Sequence, residues 1–97
     1  MEHRCGERLP LRVGVEMWRR DHYLGRFCTR NAGRGGLFIE TFARVPREGE
    51  FLRVLVHVGA GHDSAAMVCW AGDDGIGVML AYELAPRVLQ ERPASAA

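Results

Sequence analysis

Apolar residues recur at every second position through most of this chain, and that period restricts it to half-buried β-strands. In "RLPLRVGVEMW" (8–18), Leu9, Leu11, Val13, Val15 and Met17 share one face, while Pro10, Arg12, Gly14, Glu16 and Trp18 share the other. The same alternation predicts strands over "YLGRFCTR" (23–30), "GLFIETF" (36–42), "EFLRVLVHV" (50–58), "SAAMVCWA" (64–71) and "GIGVMLAY" (75–82). Turn-forming clusters separate them at 19–22, 31–36, 45–49, 59–63 and 72–75, the last reading "GDDG". Six short strands at roughly ten-residue spacing predict an all-β fold. Closure into a six-stranded antiparallel barrel removes the edges so small a sheet would otherwise expose. Only the end departs from the pattern. "LAPRVLQERP" places Pro86 where a first helical residue sits and stops at Pro93, which predicts a short C-terminal helix at about 86–92. The expected division is therefore a flexible N-terminal arginine arm at 1–8, a barrel with its terminal helix at 9–92, and a disordered tail at 93–97.

The 97 residues suffice for one domain, and 47% apolar with 26% charged content places the chain among globular proteins. No apolar run approaches the ~20 residues that span a bilayer, and no apolar segment of a secretory leader follows the first residues. Cys5, Cys28 and Cys69 are odd in number and widely spaced, which points to free thiols in a cytoplasmic setting; Cys28 and Cys69 fall in strands and are expected to be small core residues. His3, His22, His57 and His62 show no metal-ligand spacing with the cysteines. His62, Asp63 and Ser64 are neighbours in sequence, but triad partners must converge in space, so no catalytic residue is assigned and no enzyme is expected. Asp73 and Asp74 are expected to be turn formers.

Charge is distributed unevenly. Residues 1–34 carry eight arginines against four acidic residues, whereas 35–97 carry five against eight, and the chain has no lysine. The N-terminal third is thus rich in guanidinium groups, suited to phosphates and base edges. Two short patterns lie in it. "RCGER" sets Arg4 and Arg8 just ahead of the first strand, either as solvated surface residues or as a clamp for an anion. "NAGRGG" sets Asn31, Gly33 and Gly36 directly before an apolar strand. It is either an ordinary turn or a place where glycines admit φ > 0 and let backbone N–H groups approach a ligand whose base edge Asn31 reads.

Taken together, these patterns resemble a PilZ domain, the bacterial receptor module for cyclic di-GMP. The resemblance rests on "RCGER", on "NAGRGGLFIET" about two dozen residues later, and on "VCWAGDDGIGVMLAYELAPRVLQ", which is similar to the family's last hairpin, turn and helix. It covers about residues 3–92. It implies a six-stranded barrel without catalytic activity, in which ligand binding rearranges the arm and the surface shown to a downstream protein partner. It also implies that Arg4 and Arg8 hold guanine and phosphate, that Asn31 reads a guanine edge, and that Gly33 and Gly36 complete the motif. Trp70, followed by Gly72, falls where family members set a strand residue against the base; an ordinary barrel residue is the other reading. Where the family usually has Ser, this chain has Gly33, the loss of one hydrogen bond worth ~0.5–1.5 kcal/mol. His3 stands where an additional arginine accompanies a stacked pair of ligands, and Arg12 and Arg34 add positive potential that favours two ligands per chain.

Two alternatives remain at this point. A degenerate PilZ-like module would bind a protein and no nucleotide. A barrel for single-stranded nucleic acid would use Trp18, Tyr23 and Phe27 among the arginines as a stacking platform.

Overall fold

Each segment of alternating sequence becomes a strand whose apolar face turns inward. The computed structural model describes residues 9–41 and 46–81. The strands are β1 (Leu9–Pro10), β2 (Gly14–Arg19), β3 (His22–Ala32), β4 (Gly36–Glu40), β5 (Phe51–Val56), β6 (His62–Ala71) and β7 (Gly75–Leu80). Antiparallel pairing runs β2–β3–β4–β7–β6–β5 and returns from β5 to β2, so six strands close into a barrel; β1 is an additional short strand beside the end of β3. Closure leaves no edge among these six. Val15, Met17, Leu37, Ile39, Val54 and Ile76 fill the interior and are fully buried. The expected arm at 1–8, the helix at 86–92 and the tail at 93–97 lie outside the described residues, as do the last residues of the strands expected at 36–42 and 75–82.

The single strand expected from Leu9 onward is interrupted at 11–13, and the cause is a buried hydroxyl. Thr29 Oγ1 accepts from the Val13 N–H at 3.0 Å and donates to the Leu11 carbonyl. A side chain thereby takes the place of a ladder bond and separates β1 from β2, while Leu11 and Val13 both remain buried.

Register also slips by one residue in the β3–β4 and β6–β7 pairings. On β3, Thr29 pairs with Ile39 and Asn31 with Phe38, leaving Arg30 as an extra residue. On β6, Val68 pairs with Val78 and Trp70 with Gly77, leaving Cys69 as the extra residue. These are β-bulges, which turn two consecutive side chains toward one side of the sheet. Cys69 is exposed and Cys28 is half-buried beside Gly14 and Glu40; neither is the small core residue expected, because each adjoins an inward residue, Val68 and Thr29, and so falls on the outer face.

Candidate functional site

The two bulges flank one cross-strand row on the outside of the barrel. Asn31 of β3 pairs with Phe38 of β4, Phe38 with Gly77 of β7, and Gly77 with Trp70 of β6. Without the bulges, Asn31 would follow buried Thr29 to the interior and Trp70 would follow buried Val68. With them, both face outward, and the inward positions become Ala32 and Ala71. Asn31, expected in a turn, is a strand residue.

Glycine at 77 presents no side chain between its neighbours. Phe38 and Trp70 meet across it, with ring centroids 5.7 Å apart and planes inclined at 39°. Trp70 extends toward the β6–β7 turn, where a Cβ on Gly72 would stand 2.6 Å from ring atom Cζ2. The indole thus lies over Gly72 and against Phe38 and is 46% exposed. On the other flank, the Arg30 guanidinium sits 4.6 Å from the centroid of the Phe38 ring. Its Nε donates to Glu40 at 3.0 Å and its Nη1 to Asp74 at 3.2 Å. Arg12 reaches the same Glu40 carboxylate at 3.4 and 3.5 Å. Arg30, and then Arg12, hold the Glu40 carboxyl below the usual carboxylate range.

Asn31 carries the clearest chemical signal. Its Oδ1 is buried and accepts no hydrogen bond from any of the described residues. Such an acceptor costs ~1–3 kcal/mol unless a donor reaches it.

The glycine motif lies at one end of β4 and the "GDDG" turn at the other, since Gly36 pairs with Met79 and Gly75 with Glu40. Both are two-residue turns: Gly33 N–H donates to the Gly36 carbonyl at 2.9 Å, and Gly72 N–H to the Gly75 carbonyl at 3.0 Å. Neither Gly33 nor Gly36 uses the left-handed conformation; among the described glycines that belongs to Gly25, Gly49, Gly59 and Gly61. Arg34 is exposed at the tip of its turn, and Gly33 is buried.

The structure therefore brings Asn31, Trp70 and Gly72 to one outer surface and sets Gly33, Arg34 and Gly36 at its margin. Arg4, Arg8 and His3 lie outside the described residues. Leu9, which follows Arg8 directly, pairs with Ala32, and Pro10 pairs with Asn31. Arg30 and Phe38 are site residues that alternation alone did not single out. The signal for Arg30 is the pair Arg30–Asn31 between inward positions 29 and 32, a spacing of three where a regular strand has two; Phe38 is outward by plain alternation between Leu37 and Ile39.

The aromatic trio among the N-terminal arginines does not form one platform. Trp18 and Tyr23 meet at 5.3 Å on the outer face with Arg53 over Trp18, whereas Phe27 packs against the core. Among the described residues no helix is long and apolar enough to cross a membrane. The chain matches no family model, no curated protein and no solved structure in the three comparisons.

Proposed function

We propose that this protein is a cyclic di-GMP receptor of the PilZ kind, which signals to a protein partner and catalyses nothing. The observation that carries the reading is the unpartnered Asn31 Oδ1 on the same outward row as exposed Trp70. Guanine offers N–H donors on the edge that an Asn carbonyl can accept, and a flat π-face that an indole can stack. In this reading one guanine lies on the Phe38–Trp70 surface with its donors on Asn31. Arg4 and Arg8, entering from beside Asn31, take phosphate and the O6/N7 edge. Ordering the arm costs ~1–2 kcal/mol per residue, which charge-assisted contacts from both arginines offset. The rearranged arm alters the surface offered to the partner.

Calorimetric titration of the whole chain with cyclic di-GMP tests this. Saturable binding is expected, with Asn31→Ala, Arg4→Ala and Arg8→Ala each costing ~1–3 kcal/mol. A folded protein that takes up no cyclic di-GMP, or one whose affinity ignores all three substitutions, refutes the reading.

A second reading, a protein-binding module without nucleotide, draws on the neighbouring row. There Gly36, Met79, Met67 and Phe51 pair in sequence across four strands, with Met79 56% and Phe51 72% exposed. The same titration separates the two, because only the receptor reading requires heat on adding the dinucleotide.

A further inference from the structure

Asp74 does more than form a turn. It stands 44 positions from Arg30 in sequence, yet its carboxylate reaches across β4 to the Arg30 guanidinium. An ion pair this exposed adds little to stability. Its consequence is positional: with Glu40, it keeps a planar cation against Phe38, beside the orphaned Asn31 acceptor.

The partners differ in how readily each can release Arg30. Asp74 is 60% exposed and returns to water cheaply, whereas Glu40 already holds Arg12 as well and stays paired when Arg30 moves. A phosphate offers the guanidinium two parallel charge-assisted bonds in place of the single one from Asp74. We infer that Arg30 is an additional ligand-binding residue kept in a self-paired state, in which the Asp74 carboxylate stands in for a phosphate of the dinucleotide and is displaced when ligand binds. The inference rests on the receptor reading above, and it assigns Asp74 an inhibitory role within that site.

Removing the stand-in should tighten binding, and only through Arg30. Cyclic di-GMP is titrated at fixed ionic strength into wild type, Asp74→Asn, Asp73→Asn, Arg30→Ala and Arg30→Ala/Asp74→Asn, with Asp74→Ser as a second replacement should Asn perturb the turn. Asp74→Asn is expected to bind about two- to fivefold more tightly, the range of an exposed pair released. Arg30→Ala is expected to bind about tenfold more weakly, as for a lost charge-assisted hydrogen bond. Asp73→Asn removes the same charge from the same turn and is expected to gain less than Asp74→Asn. On the Arg30→Ala background the Asp74 substitution should add nothing. Equal gains at 73 and 74, a gain that persists without Arg30, or wild-type affinity in Asp74→Asn and Asp74→Ser overturns the stand-in role while leaving the receptor reading intact. Absence of binding by folded wild type overturns both.

Discussion

Alanine at Gly75 and at Gly72, three residues apart in one turn, should have opposite consequences. Neither glycine has positive φ, so Ala suits both backbones and by itself stabilises by ~0.4–1 kcal/mol through the unfolded chain. The surroundings decide the rest. A Cβ on Gly75 would stand 2.8 and 2.9 Å from the Phe38 ring and closer still to the Ile39 carbonyl oxygen, a backbone atom fixed in the β4–β7 pairing. Overpacking of this kind costs ~1–3 kcal/mol, and the backbone partner places it toward the upper end. The net loss is ~1–2 kcal/mol, which for a domain this size lowers Tm by about 5–15 °C. The three atoms nearest a Cβ on Gly72 all belong to the ring of Trp70, the far end of a half-exposed side chain that can swing away. Gly72→Ala should therefore leave Tm within a few degrees while dislodging the indole from Phe38. Thermal unfolding reads the first effect. Tryptophan emission on a Trp18→Phe background, where Trp70 is the remaining indole, reads the second. A Gly75→Ala protein as stable as wild type, or a Gly72→Ala protein with unchanged Trp70 emission, would refute the packing on which the site is built.

Replacing Thr29 by Val removes the hydroxyl that serves Val13 N–H and Leu11 C=O in a fully buried position, and should cost about 2–4 kcal/mol in urea unfolding; Thr29→Ser, which keeps the hydroxyl, should cost about 1 kcal/mol. Trp70→Ala should weaken cyclic di-GMP by ~1–3 kcal/mol with little change in Tm, and equal losses of affinity and stability would make Trp70 a merely structural residue. Glu16 is held below its ordinary 4.5 by the Tyr23 hydroxyl and His57, Glu40 by Arg30 and Arg12, and Glu50 by the Arg47 N–H and Arg19. These carboxylates have folded pKa values below their unfolded ones, so their stabilisation is complete above about pH 4.5 and is lost as pH falls through the folded values. Tm measured from pH 7 to pH 3 should decline on the acid side, and a flat profile there would contradict these pairings.

The barrel was legible because its information is local. Each strand alternates, each junction carries Gly, Asp or Asn, and six such units leave closure as the economical way to cover the edges. The site was legible only in part, because its geometry depends on two breaks in the alternation. A strict period of two carries Asn31 to the interior with Thr29, and Trp70 to the interior with Val68. What rotates these side chains outward is a pairing decision made with β4 and β7, strands the local pattern of β3 and β6 does not contain. The interruption at 11–13 is likewise set from outside its own segment, by the hydroxyl of Thr29. Asn31 and Trp70 were singled out by resemblance to family motifs. Arg30, Phe38 and Gly77 belong to the same surface for a reason only the register supplies.

A barrel of this size has its interior filled by its own side chains, so recognition must take place on the outside, where a regular strand offers one side chain every ~6.8 Å. A bulge breaks that spacing and sets two outward groups side by side, here Arg30 with Asn31 on β3 and Cys69 with Trp70 on β6. Glycine supplies the complementary device. Gly77 removes the side chain that would part Phe38 from Trp70, and Gly72 leaves the indole room to lie down. The result is a continuous band of cation, ring and ring across strands whose pairing is fixed by the fold, with an unpaired acceptor at one end. Both bulges could be removed without shortening the hydrophobic core, since Arg30 and Cys69 contribute nothing to it. Their place in the chain makes physical sense as the construction of a surface, and the Asn31 oxygen, unpaired among the described residues, is the part of that surface that a hydrogen-bond donor would satisfy.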